Sequence, residues 1–128
     1  MAAIQPAPRF WQAYLYWRDA FAELLDPETH TIAWLDNEVA SGALQIVASQ
    51  RSAALVSVKT YPTGLRELHG MCAAGDLDDL LTVVIPACEE WGRAVDCQRS
   101  VIESRAGWAR VLERHGYREH QRHIRKAL

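Results

Sequence analysis

A chain of 128 residues that is 49% hydrophobic and 23% charged can bury one real core and is too short for two comfortable domains. Its formal net charge of −2 excludes a protein that binds nucleic acid through overall charge, and no apolar run approaches a membrane span. Cys72, Cys88 and Cys97 are odd in number, sit in apolar surroundings and accompany no signal-peptide pattern, which predicts reduced thiols and a cytoplasmic setting.

Met1 to Pro8, with two prolines and small residues, is expected to trail in solvent, leaving 9–128 as a single domain. From Arg9 the spacing predicts a helix: Phe10, Tyr14, Trp17, Phe21 and Leu24 recur on one face until Asp26-Pro27 ends the run. Such an aromatic stripe suits packing on a sheet, and it also suits contact with another chain. A second helix is expected from about Glu28 to Ala40, closed at Gly42.

The period then switches. Ala43 to Ser49 and Ser52 to Tyr61 are short and β-branched, with Gln50-Arg51 as a tight connection, and Pro62-Thr63-Gly64 turns the chain into a third antiparallel strand, Leu65 to Gly75. Asp76 is placed to cap a helix from Leu77 to about Val95 whose stripe is Leu77, Leu80, Leu81, Val84, Cys88, Trp91 and Val95. Pro86 inside it predicts a kink or a break. Gln98 to Glu103 reads as a short strand. Glu103 to Tyr117 then spells a helix marked at both ends, with Ser104 as N-cap, Gly116 in the left-handed position, Tyr117 packing back on Leu112, and Trp108, Val111, Leu112 and His115 on one face. Tyr117 to Leu128 is expected to be a final strand or a frayed helix.

This order, with Ala-Gly-Asp at Ala74 to Asp76, Asp96-Cys97, Ser-Arg-Ala-Gly-Trp at Ser104 to Trp108 and the Gly116-Tyr117 ending, resembles the GNAT fold of acyl-CoA-dependent N-acetyltransferases, and most closely the short GNAT-like proteins of tailed phages and prophages. The likeness covers about Ala40 to Leu128. It implies an α/β fold with a central, mostly antiparallel mixed sheet flanked by helices, and the host cytoplasm or the virion as its setting.

In that superfamily a glycine-rich turn between the fourth strand and the third helix holds the CoA pyrophosphate on backbone amides, a placement favoured by the helix dipole. The corresponding stretch here is Gly75-Asp76-Leu77-Asp78-Asp79, so Ala74, Gly75 and Asp76 are the positions that would touch acetyl-CoA. Three carboxylates at that helix start would repel it. The tyrosine that protonates the leaving thiolate in active members aligns with Leu112, which cannot donate a proton. Glu67 remains as a candidate general base, and strand alternation puts it on one face with His69; both are otherwise solvated strand residues. Alternation separates His69 from Cys72, and a zinc site among His115, His120 and His123 would need a helical tail, so no metal is expected.

Basic residues crowd the last quarter, with Arg105, Arg110, Arg114, Arg118, Arg122, Arg125 and Lys126. The resemblance and these features together imply a catalytically degenerate protein that works by protein binding, in a virion or against a host protein, or as a homo-oligomer. Phe10, Tyr14, Trp17, Arg118, Arg122 and Arg125 are the expected partner-facing residues. The alternatives are an active N-acetyltransferase using acetyl-CoA, and a nucleic-acid accessory protein acting through the basic tail.

Overall fold

The computed structural model describes residues 8–104 and 106–128. The expectation of a loose segment at residues 1–7 lies outside them, as does Arg105 beside the proposed Ser104 cap. Helix α1 (Pro8–Leu24) and helix α2 (Ile32–Ala40) lead into strands β1 (Gln45–Ala48), β2 (Ser52–Thr60) and β3 (Arg66–Gly75). A long helical passage follows, made of α3 (Leu77–Asp79), a π-helical turn (Leu80–Val84) and α4 (Ile85–Ala94), then strand β4 (Arg99–Ile102) and helix α5 (Ala106–Glu113).

The four strands lie in the order β1-β2-β3-β4, the first two pairings antiparallel and the last parallel. Side-chain alternation gives this sheet two apolar faces. One buries Leu44, Ile46, Ala53 and Leu55 against Tyr14 and Phe21 of α1 and Leu35 and Val39 of α2. The other buries Ala54, Val56 and Leu68 against Leu80, Val84, Ile85, Cys88 and Leu112. Fully burying such side chains is worth about 1.5–3 kcal/mol each, which makes these two layers the main source of stability. Gly92 lets α4 approach the sheet closely, since a Cβ there would stand 3.1 Å from Leu68 Cδ2.

Several expectations are corrected. Helix α2 starts at Ile32 rather than near Glu28, because Asp26 takes up the intervening backbone: its carbonyl accepts from the amides of Thr29 and His30, and its side chain accepts from Glu28 N. Thr31 then caps the helix by accepting from Trp34 N at 3.1 Å. At Pro86 the helical passage continues rather than breaking. The preceding turn widens into a π-helix in which Ile85 N donates to Leu80 O, the wider bonding pattern accommodating the missing proline donor. Leu77, expected in the stripe, is exposed. So is His115, which leaves the buried face of α5 to Leu112, with Trp108 and Val111 half-buried.

The ending of α5 forms as expected. Gly116 has φ 87°, Gly116 N donates to Glu113 O at 3.2 Å, and Tyr117 N donates to Leu112 O at 3.3 Å, the two bonds of a Schellman motif. Tyr117 packs with Leu112 in the second core. Beyond it, Arg118 to Leu128 has no regular secondary structure and is exposed throughout, so the final strand or frayed helix is absent. No described helix is long and apolar enough to cross a membrane.

Candidate functional site

Glu67 and His69 do come together, but not as solvated strand residues. Glu67 is only 3% exposed. Its Oε1 accepts from the Tyr61 hydroxyl at 2.7 Å and lies 2.7 Å from His69 Nε2, while its Oε2 pairs with Arg99 of β4. Burial alone would raise its pKa; the donors Tyr61, His69 and Arg99 outweigh that and hold it at about 2. Lys59 Nζ stands 4.8 Å from the Tyr61 ring centroid, adding a second cation beside the ring. A carboxylate this stabilised as an anion is a weak proton acceptor, so the arrangement suits holding β4 against β3 better than it suits general-base chemistry.

A register shift in the β2–β3 ladder alters one further expectation. Val56 pairs with Gly70 and Leu55 with Cys72, leaving Met71 as the extra residue of a bulge. His69 and Cys72 therefore oppose Ser57 and Leu55, two apart on β2, and lie on the same face rather than on opposite ones. No group of metal-binding side chains gathers there or elsewhere among the described residues.

The stretch after β3 is built from its own polar groups. Asp76 caps the helix by accepting from Asp79 N at 2.9 Å and pairs with Arg51 Nη2 at 2.9 Å. Asp79 Oδ2 accepts from Ser49 Oγ at 2.5 Å and Ser52 Oγ at 2.6 Å, bonds that lower its pKa, and Ser52 is fully buried. The Asp79 amide and, next to it, Arg51 lower the pKa of Asp76 too. Gly75 sits at φ 104°, and a Cβ there would meet Arg51 O at 2.3 Å, Ser52 Cα at 2.7 Å and Trp17 Cη2 at 2.9 Å. Its missing side chain thus admits the β1–β2 turn, whose Arg51 O accepts from Asp76 N. Ala74 packs toward the first core.

Beside this helix start, β3 runs on to Gly75 after its pairing with β4 ends at Gly70 opposite Ile102. A cavity of about 520 Å³ lies there, its wall including Val56, Ala73, Cys88, Ile102, Trp108 and Tyr117. It is mainly apolar. Leu112, at the position the resemblance gives to a proton-donating tyrosine, is buried in the second core and is not among the residues lining the cavity. Tyr117 does line it, a placement not expected from its position after Gly116. Its hydroxyl lies 2.8 Å from Glu89 Oε2 and 2.9 Å from Ser100 Oγ, and burial raises its pKa. The signal was the tyrosine following Gly116, read only for its packing.

Of the partner-facing residues, Arg118, Arg122 and Arg125 are exposed, with Arg122 paired to Glu119. Phe10 is exposed and Trp17 half-buried. Tyr14 is corrected: it is fully buried, its hydroxyl donating to Asp36 Oδ1 at 2.6 Å while Arg18 grips both oxygens of Asp36 at 2.8 Å, which ties α1 to α2. The stripe of α1 is mainly core.

No protein-family model matches the chain, and no curated protein matches it. Solved structures do. A Trypanosoma brucei acetyltransferase is similar over 98% of this chain and 97% of its own, at 15% identity and a TM-score of 0.64. Glucosamine-6-phosphate N-acetyltransferase from Arabidopsis thaliana aligns over 97% and 95%, at 10% identity and a TM-score of 0.66. An aminoglycoside N-acetyltransferase solved in complex with CoA aligns over 91% and 94%, at 14% identity and a TM-score of 0.65. At these identities the likeness speaks to architecture, and the architecture of this chain is the GNAT fold.

Proposed function

We propose that this GNAT-fold chain acts by binding another protein, and that it does not grip the pyrophosphate of acetyl-CoA in the manner of the acetyltransferases it resembles. The observation that carries this is the helix start after Gly75. Asp76 already occupies the Asp79 amide, Asp79 is held by Ser49 and Ser52, and the glycine's free space is filled by the Arg51–Ser52 backbone. An incoming pyrophosphate would meet carboxylates where anion sites present unpaired amides. The arginine-bearing tail and exposed Phe10 are the surfaces offered to a partner. The resemblance to phage-encoded members suggests a virion or host-directed form of that role.

A second reading, acyl transfer, is favoured by one observation. The cavity beside β3, past the end of β4 at Ile102, has room for an acyl-pantetheine arm, and the phenol of Tyr117 could stand in for the proton donor that Leu112 cannot be. Calorimetric titration with acetyl-CoA separates the two. Little or no heat is expected; micromolar binding would overturn the binding-module reading and establish a cofactor site.

A further inference from the structure

The geometry points to a second site, at the opposite end of the long helix, that binds a small phosphorylated molecule. A cleft of about 450 Å³ lies between the last turn of α4, the start of β4 and the turn that closes α5, and Arg93, Arg99, Arg118 and His115 all line it. This size suits a phosphate group with a small organic portion. The helical passage from Leu77 to Ala94 sets it about 27 Å from the Gly75 turn at 1.5 Å per residue, while Leu68, Ser100 and Tyr117 form a wall it shares with the apolar cavity beside Ile102.

The charge balance in the cleft is one-sided. Glu89 is its one acidic lining residue, and Glu89 Oε2 already has the Tyr117 hydroxyl at 2.8 Å. Arg93 has only an exposed contact with Glu90 at 3.2 Å, which costs little to exchange for a ligand. Arg118 has no carboxylate partner among the described residues. Arg99 borders the cleft, but its guanidinium is turned to Glu67 and the Tyr61 ring, which do not line it, so the cations left for an anion are Arg93 and Arg118. The guanidinium groups of Arg93 and Arg118, on two sides of one concavity, suit the several oxygens of a phosphate, to which each can present paired N–H donors.

Two features make the cleft pre-organised. The left-handed Gly116 turns the chain back after α5, and Tyr117, pinned near Ser100 and Glu89, delivers Arg118 to the rim. The helix ends facing it would oppose an anion through their free carbonyls, but backbone amides already serve them: Cys97 N donates to Gly92 O and Tyr117 N to Leu112 O.

The test is calorimetric and NMR titration of the full chain with inorganic pyrophosphate near physiological salt. One saturable site is expected, with shifts centred on the amides of Gln98, Gly116 and Arg118, which line this cleft and not the neighbouring cavity. Arg93→Glu with Arg118→Glu should weaken it about tenfold or more. Arg110→Glu with Arg125→Glu, the same charge change outside the cleft, should alter it by less than about threefold, as expected for screened charges. Absence of saturable binding, or equal losses in the two variants, would overturn the proposal. Shifts confined to residues 120–128 would assign the interaction to the tail alone, and shifts at Leu77 and Asp79 would assign it to the acetyl-CoA turn; either result overturns it.

Discussion

The guanidinium of Arg99 on β4 is paired with the buried carboxylate of Glu67 on β3, across a parallel contact only four residue pairs long. Such a short ladder has few backbone bonds, so its side-chain ties matter. Removing the guanidinium leaves an ionised oxygen with one partner fewer in a nearly dry place. Arg99→Met is expected to lower stability by about 1–3 kcal/mol, the cost of an under-satisfied buried acceptor. Denaturant unfolding with an unchanged midpoint would show that Tyr61 and His69 suffice.

The same carboxylate sets an acid response. Its pKa is about 2 in the folded protein, below the ordinary glutamate value. A depressed folded-state pKa contributes stability that is complete above the unfolded value and is lost as pH falls through the folded one. Glu67 should therefore stabilise the protein at neutral pH and cease to do so between about pH 4.5 and pH 2. Thermal midpoints of Glu67→Gln, measured across that window, are expected to fall less steeply than those of the parent. Parallel curves would assign the acid response to other carboxylates.

Gly75→Ala tests the close approach of the β1–β2 turn. The new methyl would meet two backbone atoms below 3.0 Å, at a φ that side chains rarely adopt. Backbone strain and overpacking each cost about 1–3 kcal/mol, so a loss of about 3 kcal/mol or more is expected in equilibrium unfolding. A loss under 1 kcal/mol would mean that the turn shifts freely, and with it the wall now facing Asp76.

Within α5 the two candidate core residues should separate. Leu112 is 3% exposed, and Leu112→Ala is expected to cost about 2–5 kcal/mol. Trp108 is half-buried at the cavity, so Trp108→Ala should cost less. Chemical denaturation of both variants gives the order; a larger loss at Trp108 would place it deeper in the core than Leu112.

Arg118, Arg122 and Arg125 are exposed. Replacing all three with Glu should leave the unfolding midpoint within about 0.5 kcal/mol per site of the parent, as is usual for surface changes. Sedimentation of the parent should show association that this variant loses. A parent that stays monomeric at high concentration would confine any partner role to other proteins.

Much of the fold was legible because apolar spacing and end signals are local. The meander from β1 to β3, the Asp76 cap and the Gly116 ending all follow from residues within a few positions of one another. The bulge at Met71 was not, since it exists only relative to the partner strand β2. The π-turn was announced by Pro86 without its form, which depends on how Leu80, Val84 and Ile85 seat on the sheet. Glu67 was found as a site residue but mistaken for a solvated one, because the partner that neutralises it stands 32 positions away. Tyr14 was placed on a partner surface for a related reason: its acceptor, Asp36, belongs to another helix.

Sheet order that follows chain order also has a kinetic side. β1, β2 and β3 meet through short turns, whereas β4 reaches β3 only after the whole of α3, the π-turn and α4 has been laid down. Closing that longer loop costs more chain entropy before any contact rewards it, which favours a transition state with the meander formed and β4 not yet docked. In chevron plots, substitutions at Leu55 or Val56 should then slow folding, while those at Arg99 or Val101 should leave the folding arm nearly unmoved and raise the unfolding rate.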